Sequence, residues 1–587
     1  MPHARNAAAV IAAAILLPVA SARAEECKVA KYGTLPVEMV GLRPMTQVKI
    51  NGQDTRFILD TGAFFSTMSR ATAEALSLKT SPAPPGFYMS GIGGRVSVDI
   101  ARVKDFGILG TTLNNIEFLV GGSDTGSGLI GANLLNFADA EVDLAHGQFS
   151  LMKVTGCSKR ALAYWAKDGD YNIADLVPNE SRANRHIFVN VIVNGQRVRA
   201  LLDTGAPATL ISRRAAERAG IDLNAPDVKA SYTASGFGQK SYRSWTARIA
   251  SYSIGSETIQ RARMQVMDGE LGIGTDSPDM LLGVDFFLAH HLFIAKSQNK
   301  LYFTYNGGRV FSFQKAPVAS SQPATDPANP STAPKTAPEL ALRGRASLSR
   351  GETARALDDL DAAIRLDPDK PDYYTARAEA RLHDHKPDLA AADLDSALKL
   401  APQDLAALLM RAQLSLHRKD RAAAARDIAA AQPLAAAGSH EARTIASLYI
   451  ALDQPDRALP LLDAWIRLHG EDNKLGSALN ARCWARGLAN QALEGGLDDC
   501  RKAIRRDGAN PAYLDSLGLI QFRLGRYAEA VETYAKAAAE MPKSAETRYG
   551  LGLARKRNGD VAGGDADIAA AKAIDPEIAA QFAKFGL

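Results

Sequence analysis

One 17-residue pattern occurs twice in this chain, 143 positions apart: QVKINGQDTRFILDTGA at residues 47–63 and NVIVNGQRVRALLDTGA at 190–206. In both copies apolar residues alternate with polar ones, Asn-Gly interrupts the alternation (Asn51-Gly52, Asn194-Gly195), and an apolar run ends in Asp-Thr-Gly-Ala. Period-two alternation marks half-buried strands, and Asn-Gly between two such runs marks a tight hairpin. The copies stay parallel beyond the motif. GIGGRVSV at 91–98 answers to GFGQKSYRSW at 236–245, each a glycine-bearing hairpin tip followed by a strand. Residues 128–151 and 280–303 each read as an apolar strand, a Gly, a short helix and a closing hairpin. The front of the chain is therefore two copies of one β unit.

A third Asp-Thr-Gly, at Asp124, follows Gly121-Gly122-Ser123 instead of an aliphatic strand and has no counterpart in the second copy. Asp, Thr and Gly are common turn residues, and Asp124 is expected to be a decoy. The paired motifs are different. An Asp at the end of an apolar strand, followed by Thr and Gly, enters a tight loop at a dry interface. Two such loops face to face bring two carboxylates within hydrogen-bonding distance, where both cannot ionise and the pair shares one proton. One member then activates a water while the other protonates a substrate carbonyl, and the dyad titrates as a unit. Gly permits the close approach, and a buried Thr hydroxyl can bond the opposite loop.

Over residues 35–312 these features resemble the retropepsin-like branch of the aspartic proteases, in which each lobe carries one Asp-Thr-Gly. The resemblance implies Asp60 and Asp203 as catalytic residues, with Thr61, Gly62, Thr204 and Gly205 supporting the dyad loops. It also implies that Gly91, Ile92, Gly93 and Gly94, and Gly236, Phe237 and Gly238, are flap tips closing on an extended polypeptide substrate bound largely by backbone hydrogen bonds. Two departures stand out. Both lobes sit in one chain, so the dyad forms within the chain or between two chains. After the closing Gly come Ala132-Asn133 and Val284-Asp285, where retroviral enzymes commonly carry Arg, so contacts below the site are expected to differ.

Residues 316–338 form a Pro/Ala/Ser/Thr run without apolar periodicity, an extended linker. Beyond it the chain is rich in Ala, Leu, Arg and Asp with helical spacing. Pro368 and Pro402 lie 34 residues apart, as do Pro542 and Pro576. Gly518, Gly525, Tyr527, Ala530, Tyr534, Ala537 and Pro542 fall on the tetratricopeptide (TPR) pattern. About six or seven helical pairs fit, with the frame blurred between 403 and 470. They predict an α-solenoid over 339–587 with a concave surface for a protein partner.

Arg5, an apolar stretch over 7–20 and Ala22-Arg23-Ala24 give the layout of a signal peptide over 1–24. Lobe 1 is then expected over 25–160 and lobe 2 over 161–315, in a protein exported to a bacterial periplasm or secreted. The fold class expected is multidomain: tandem all-β lobes followed by an all-α solenoid. In an oxidising compartment the four cysteines suggest two disulfides, with three connectivities possible. Cys27 with Cys157 and Cys483 with Cys500 keeps each bridge within one domain; free buried thiols are the alternative.

A formal net charge of +5, spread over 587 residues, does not indicate nucleic acid, and no later apolar run is long enough for a membrane span. No cofactor or metal is expected. His383-Asp384-His385 fall in an inter-helix loop without a third partner, and His290-His291 read as packing residues. The expected function is an aspartic endopeptidase whose repeats recruit substrate or partner. A catalytically silent peptide-binding scaffold and an enzyme that cuts only its own linker are the rivals.

Overall fold

A computed structural model describes residues 26–311 and 334–587, apart from 123–125, 127, 159, 168, 180–183, 273–276 and 309. The expected signal peptide, Asp124 and most of the linker lie outside the described residues. The duplicated motif folds as two hairpins. Arg43–Ile50 pairs antiparallel with Gln53–Leu59, and Phe188–Val193 with Gln196–Leu202. Asn51 and Gly52 have φ of 49° and 86°, and Asn194 and Gly195 of 49° and 83°. A two-residue turn matched to strand twist needs this left-handed backbone at both positions, which Asn tolerates and Gly adopts freely.

Each hairpin runs into its Asp loop and leaves it along a short strand, Thr67–Met68 or Leu210–Ser212. A serine hydroxyl (Ser69 or Ser212) then caps a helix, Arg70–Ala75 or Arg213–Arg218. The strand Gly128–Ile130 lies between the two limbs of the first loop, parallel to Gln53–Leu59 and antiparallel to Thr67–Met68. Met280–Leu282 occupies the same place in lobe 2.

The lobes are joined by a shared sheet. Three strands of lobe 1 (Lys28–Pro36, Gln148–Thr155, Asp139–Asp143) continue into three of lobe 2 (His290–Ala295, Lys300–Tyr305, Asn172–Val177). At the seam Ala140 faces Ile294 and Val142 faces Leu292. One apolar cluster, with Phe57 and Phe118 of lobe 1 and Phe286 and Phe303 of lobe 2, extends through both. The two motifs are thus paired within one chain. A polar contact also crosses the seam: His291 Nε2 lies 3.1 Å from Glu141 Oε1, and within lobe 2 Trp165 stacks on the His291 ring at 3.9 Å. Burial alone would raise the Asp143 carboxyl, but His291 and His146 hold it down at about 2. Cys27 is bonded to Cys157 beside the outermost strand pair, tying the two ends of lobe 1.

Seven helical pairs follow among the described residues, from Ala337–Ser349 with Thr353–Leu366 to Ala545–Arg557 with Val561–Ile574, ending in Ile578–Ala583. The first helix starts at Ala337, two residues before the expected 339. Thr336 and Glu339 form a reciprocal capping box there, and Pro338 is tolerated in the first turn. The blurred frame after 403 has a local cause: Arg421–Ala431 ends early in a 3₁₀ turn containing Pro433.

The repeats also carry a polar ladder at 34-residue spacing. Arg343 pairs with Asp359, Arg377 with Asp393, and Arg411 with Asp427, each through two guanidinium nitrogens. Arg377 and Arg411 reach back as well to Asp361 and Asp395 of the preceding unit. Asp393 is buried and also faces Arg381 at 2.6 Å. Asp393→Ala is therefore expected to destabilise the solenoid by about 1–3 kcal/mol, since it removes the shared carboxylate of Arg377 and Arg381 and leaves them only Asp361 and the Leu389 carbonyl. Chemical denaturation followed by far-UV circular dichroism would measure it. Cys483 and Cys500 are bonded across one helical pair, Leu475–Ala489 with Leu493–Asp507. Replacing both by Ser should lower stability by roughly 2–3 kcal/mol, the loop-closure contribution for a span of this length. The same denaturation experiment should show no further loss on adding reductant to the variant.

Candidate active site

The two Asp-Thr-Gly loops meet at the lobe interface. Asp60 N–H donates to Ile130 O at 3.0 Å, and Asp203 N–H to Leu282 O at 2.9 Å, so the enclosed strand fixes the base of each loop. Asp60 Oδ1 accepts from Gly62 N (3.0 Å) and Ala63 N (2.7 Å). Asp203 Oδ1 accepts from Gly205 N (2.9 Å) and Ala206 N (3.1 Å). The threonines exchange bonds across the interface. Thr61 Oγ1 donates to Leu202 O at 2.8 Å and accepts from Thr204 N at 3.1 Å. Thr204 Oγ1 donates to Leu59 O at 2.6 Å and accepts from Thr61 N at 3.1 Å. Both threonines are buried, so neither loop can shift without leaving four backbone groups unpaired.

Each glycine lies against the carboxyl of the opposite Asp: a Cβ on Gly62 would overlap Asp203, and one on Gly205 would overlap Asp60. The two carboxyl groups are thereby brought to the same interface, each against the glycine of the other loop. Burial raises both above the usual carboxylate range. The charge of Asp60 adds to burial in raising Asp203, while two backbone N–H bonds at each carboxyl act against the rise.

A pair of clamps beneath the loops escaped the sequence reading. In lobe 1 Asn133 Oδ1 accepts from Ser66 N and Ser66 Oγ, both at 2.9 Å, and Ser66 Oγ accepts from Gly131 N at 3.0 Å. In lobe 2 Asp285 Oδ1 accepts from Thr209 N (2.8 Å) and Thr209 Oγ1 (2.7 Å), and Thr209 Oγ1 accepts from Gly283 N at 3.0 Å. Asn133 and Asp285 are the residues that replace the expected Arg context. Their signal was present as matched offsets in the two copies: Ser66 and Thr209 each lie six residues past their Asp. Burial pushes the Asp285 carboxyl up to about 6 against the bonds from Thr209 and Phe286.

Above the dyad, Met89–Gly91 pairs with Gly94–Val96 and Ala234–Ser235 with Ser241–Tyr242, forming two hairpins. Their tips touch: Gly93 N–H donates to Phe237 O, and Lys240 N–H to Gly93 O, both at 2.9 Å. A Cβ on Gly93 would come within 2.6 Å of the Gly238 backbone. Each tip also crosses to the other lobe. Ile92 packs on a lobe 2 cluster containing Ala206 and Leu281, and Phe237 on a lobe 1 cluster containing Val98 and Leu119.

Residues 46–134 and 189–286 match the family model for aspartyl protease, one segment per lobe. Residues 512–539 match the tetratricopeptide repeat model. Each lobe is thus similar to aspartyl protease, and one helical pair of the solenoid is similar to a tetratricopeptide repeat. Two curated relatives, each named DNA damage-inducible protein 1 and from two strains of Cryptococcus neoformans var. neoformans serotype D, are 34% identical over 121 residues. That alignment covers 20% of this chain, which spans 24% of those relatives. A tetratricopeptide repeat protein from Parabacteroides merdae covers 42% of this chain and 98% of its own at 17% identity, with a TM-score of 0.33. YrrB, described as a TPR protein with an unusual peptide-binding site, covers 39% and 98% at 15% identity, with a TM-score of 0.23. These scores are too low to bear on what the repeats bind.

Histidines outside the aspartyl-protease lobes' centre have local partners. His290 is buried with Nε2 3.1 Å from Glu257, and His291 serves the seam. His383 ends the helix Pro371–His383, with Asp384 and His385 in the turn that follows. No group of three or more metal-ligating side chains occurs among the described residues.

Proposed function

We propose that the two lobes form an aspartic endopeptidase, with Asp60 and Asp203 as an acid–base dyad. One observation carries this reading: the two Asp-Thr-Gly loops interlock within one chain so that each carboxyl lies against the glycine of the opposite loop, with paired hairpins from both lobes nearby. In the singly protonated dyad the ionised carboxylate takes a proton from an attacking water, and the protonated one gives its proton to the carbonyl oxygen of the scissile bond. The resulting tetrahedral carbon collapses with proton transfer to the leaving amine, and the dyad regains its starting proton count. The flap tips would close over an extended polypeptide and keep bulk water from the reacting carbonyl.

The retained dyad favours the enzyme over a silent peptide-binding scaffold, because both Asp and all four supporting Thr and Gly are in place. The assay is cleavage of a quenched peptide library and of a denatured protein from pH 3 to 8, with and without a statine-type transition-state mimic. Cleavage abolished by the mimic is expected. Absence of cleavage across that range would return the protein to the scaffold reading.

We further propose that the chain is exported to the periplasm or secreted, where two disulfides are stable. The mature protein should then begin at Glu25, which N-terminal sequencing checks. The repeats would hold a substrate or protein partner on their concave surface. A single dominant cut between 316 and 338 in the intact mass would instead favour processing of the chain's own linker.

A further inference from the structure

The solenoid touches the lobes at two places of very different character. At its start, helix Ala337–Ser349 is built into both lobes. Ala346 is fully buried in the lobes' apolar cluster, and Leu342 packs at Gly147. Arg345 pairs with Glu38 at 3.2 Å, Ser349 Oγ donates to Gly41 O, and Arg350 Nη1 donates to Leu288 O at 3.3 Å. More than a hundred residues later the solenoid returns to the lobes through three polar side-chain contacts. Arg467 lies 3.3 Å from Glu74 of the lobe 1 helix. Ser97 Oγ, one residue past the first flap strand, donates to Glu471 Oε2 at 3.1 Å. Arg506 reaches Gln239, next to Gly238 at the tip of the second flap, at 3.5 Å.

The segment making these contacts is braced by the repeats around it. Helices Pro455–Leu468 and Leu475–Ala489 are separated by six residues, against four between Leu400 and Leu405. His469 stacks on Trp465 with ring centroids 4.4 Å apart, and its Nε2 is 2.8 Å from Gly438 O. Asp472 is fully buried, its Oδ1 accepts from Lys474 N at 2.6 Å, and its carbonyl accepts from Arg506. The one disulfide of the solenoid joins the two helices that carry this segment and Arg506.

We propose that the repeat domain is a latch on the flaps, with residues 467–506 bonded at the base of the first hairpin and beside the tip of the second and so holding the two in their mutually bonded arrangement. The buried start of the solenoid is its fixed end, and the braced segment is its releasable end. One of these contacts is an exposed ion pair and the other two are single hydrogen bonds between a charged and a neutral side chain; each is individually weak, so the latch opens reversibly. A solenoid unit contacts only its neighbours, so a ligand that changes the curvature between 353 and 466 moves the latch without touching the lobes. Access to the cleft is thereby coupled to occupancy of the repeats, and for its catalytic consequence this rests on the endopeptidase reading.

The test uses the full chain and the triple variant Arg467→Ala, Glu471→Ala, Arg506→Ala. Hydrogen exchange of the flap segments 89–98 and 234–242 should become about three- to tenfold faster than in wild type, as loss of three weak exposed contacts implies. Peptide cleavage should rise with it. In 0.5 M salt, which screens the Arg467–Glu74 pair, the wild type should move part of the way toward the variant in both readouts, while the variant changes little. Faster flap exchange with no cleavage in either protein would retain the latch and remove the endopeptidase. Unchanged flap exchange, with a circular dichroism spectrum equal to wild type, would overturn the latch. A folding defect in the triple variant is bypassed by Glu471→Gln alone, which should show a smaller increase in the same direction; no increase there also overturns it.

Discussion

Asp60→Asn and Asp203→Asn should each lower peptide-bond cleavage by about 10²–10⁴-fold, the usual worth of a positioned acid or base. Asn keeps the shape of the side chain, and its Oδ1 can still accept from the two N–H groups at each loop. It cannot exchange a proton in either direction, so the loss falls on kcat with little change in KM. Loss in both variants identifies one shared dyad. Full activity in either would mean that the carboxyls do not act together. In the wild type, activity should follow a bell in pH. It falls at the acid limb when both carboxyls are protonated and at the alkaline limb when both are ionised.

The second large effect is on stability and concerns Asp285. Its carboxyl is raised by burial to about 6 from 3.8. A carboxyl that holds its proton more tightly when folded contributes its full stability below about 3.8, and that stability declines as pH rises through 6. In full the shift corresponds to about 3 kcal/mol, of which roughly 2 kcal/mol separates pH 4 from pH 8. Asp285→Asn removes the titration and copies lobe 1, where Asn133 makes the same clamp. Its amide must find a partner where the second Asp285 oxygen has none, which offsets part of the gain. The variant is therefore expected to exceed wild type by about 1–3 kcal/mol at pH 8 and to match it near pH 4. Thermal unfolding at the two pH values measures this. An equal advantage at both would show that Asp285 is not the group responsible. The opposite dependence belongs to Asp143, held at about 2, whose contribution is present above the ordinary carboxylate range and is lost only as pH falls through 2.

What the sequence determined by itself was local or periodic. Asn-Gly between alternating runs forces a hairpin through its own backbone preferences. The strand ending in Asp-Thr-Gly then recurs in a matched context, so both dyad loops, both flap hairpins and both closing strands were legible. The 34-residue spacing placed the helical pairs in the same way, and the two disulfides join cysteines that the sequence already put within one lobe and one helical pair. Even the start of the solenoid at Ala337 was written locally, in a Thr-x-x-Glu box hidden by its proline-rich surroundings.

The tertiary structure alone decided which surfaces meet. The six-stranded seam that pairs the lobes within one chain joins Asp139–Asp143 to His290–Ala295, about 150 residues apart and without any sequence period to announce it. The carboxyls are brought together, and their ionisation set, by burial and by a neighbour's charge, neither of which is a property of either tripeptide. Asn133 and Asp285 acquired roles only when folding put them under loops far away in sequence. The approach of Glu471 and Arg506 to the flaps follows from the accumulated curvature of five helical pairs. Small rotations between neighbouring repeats add up over that distance, and no single stretch of residues encodes their sum.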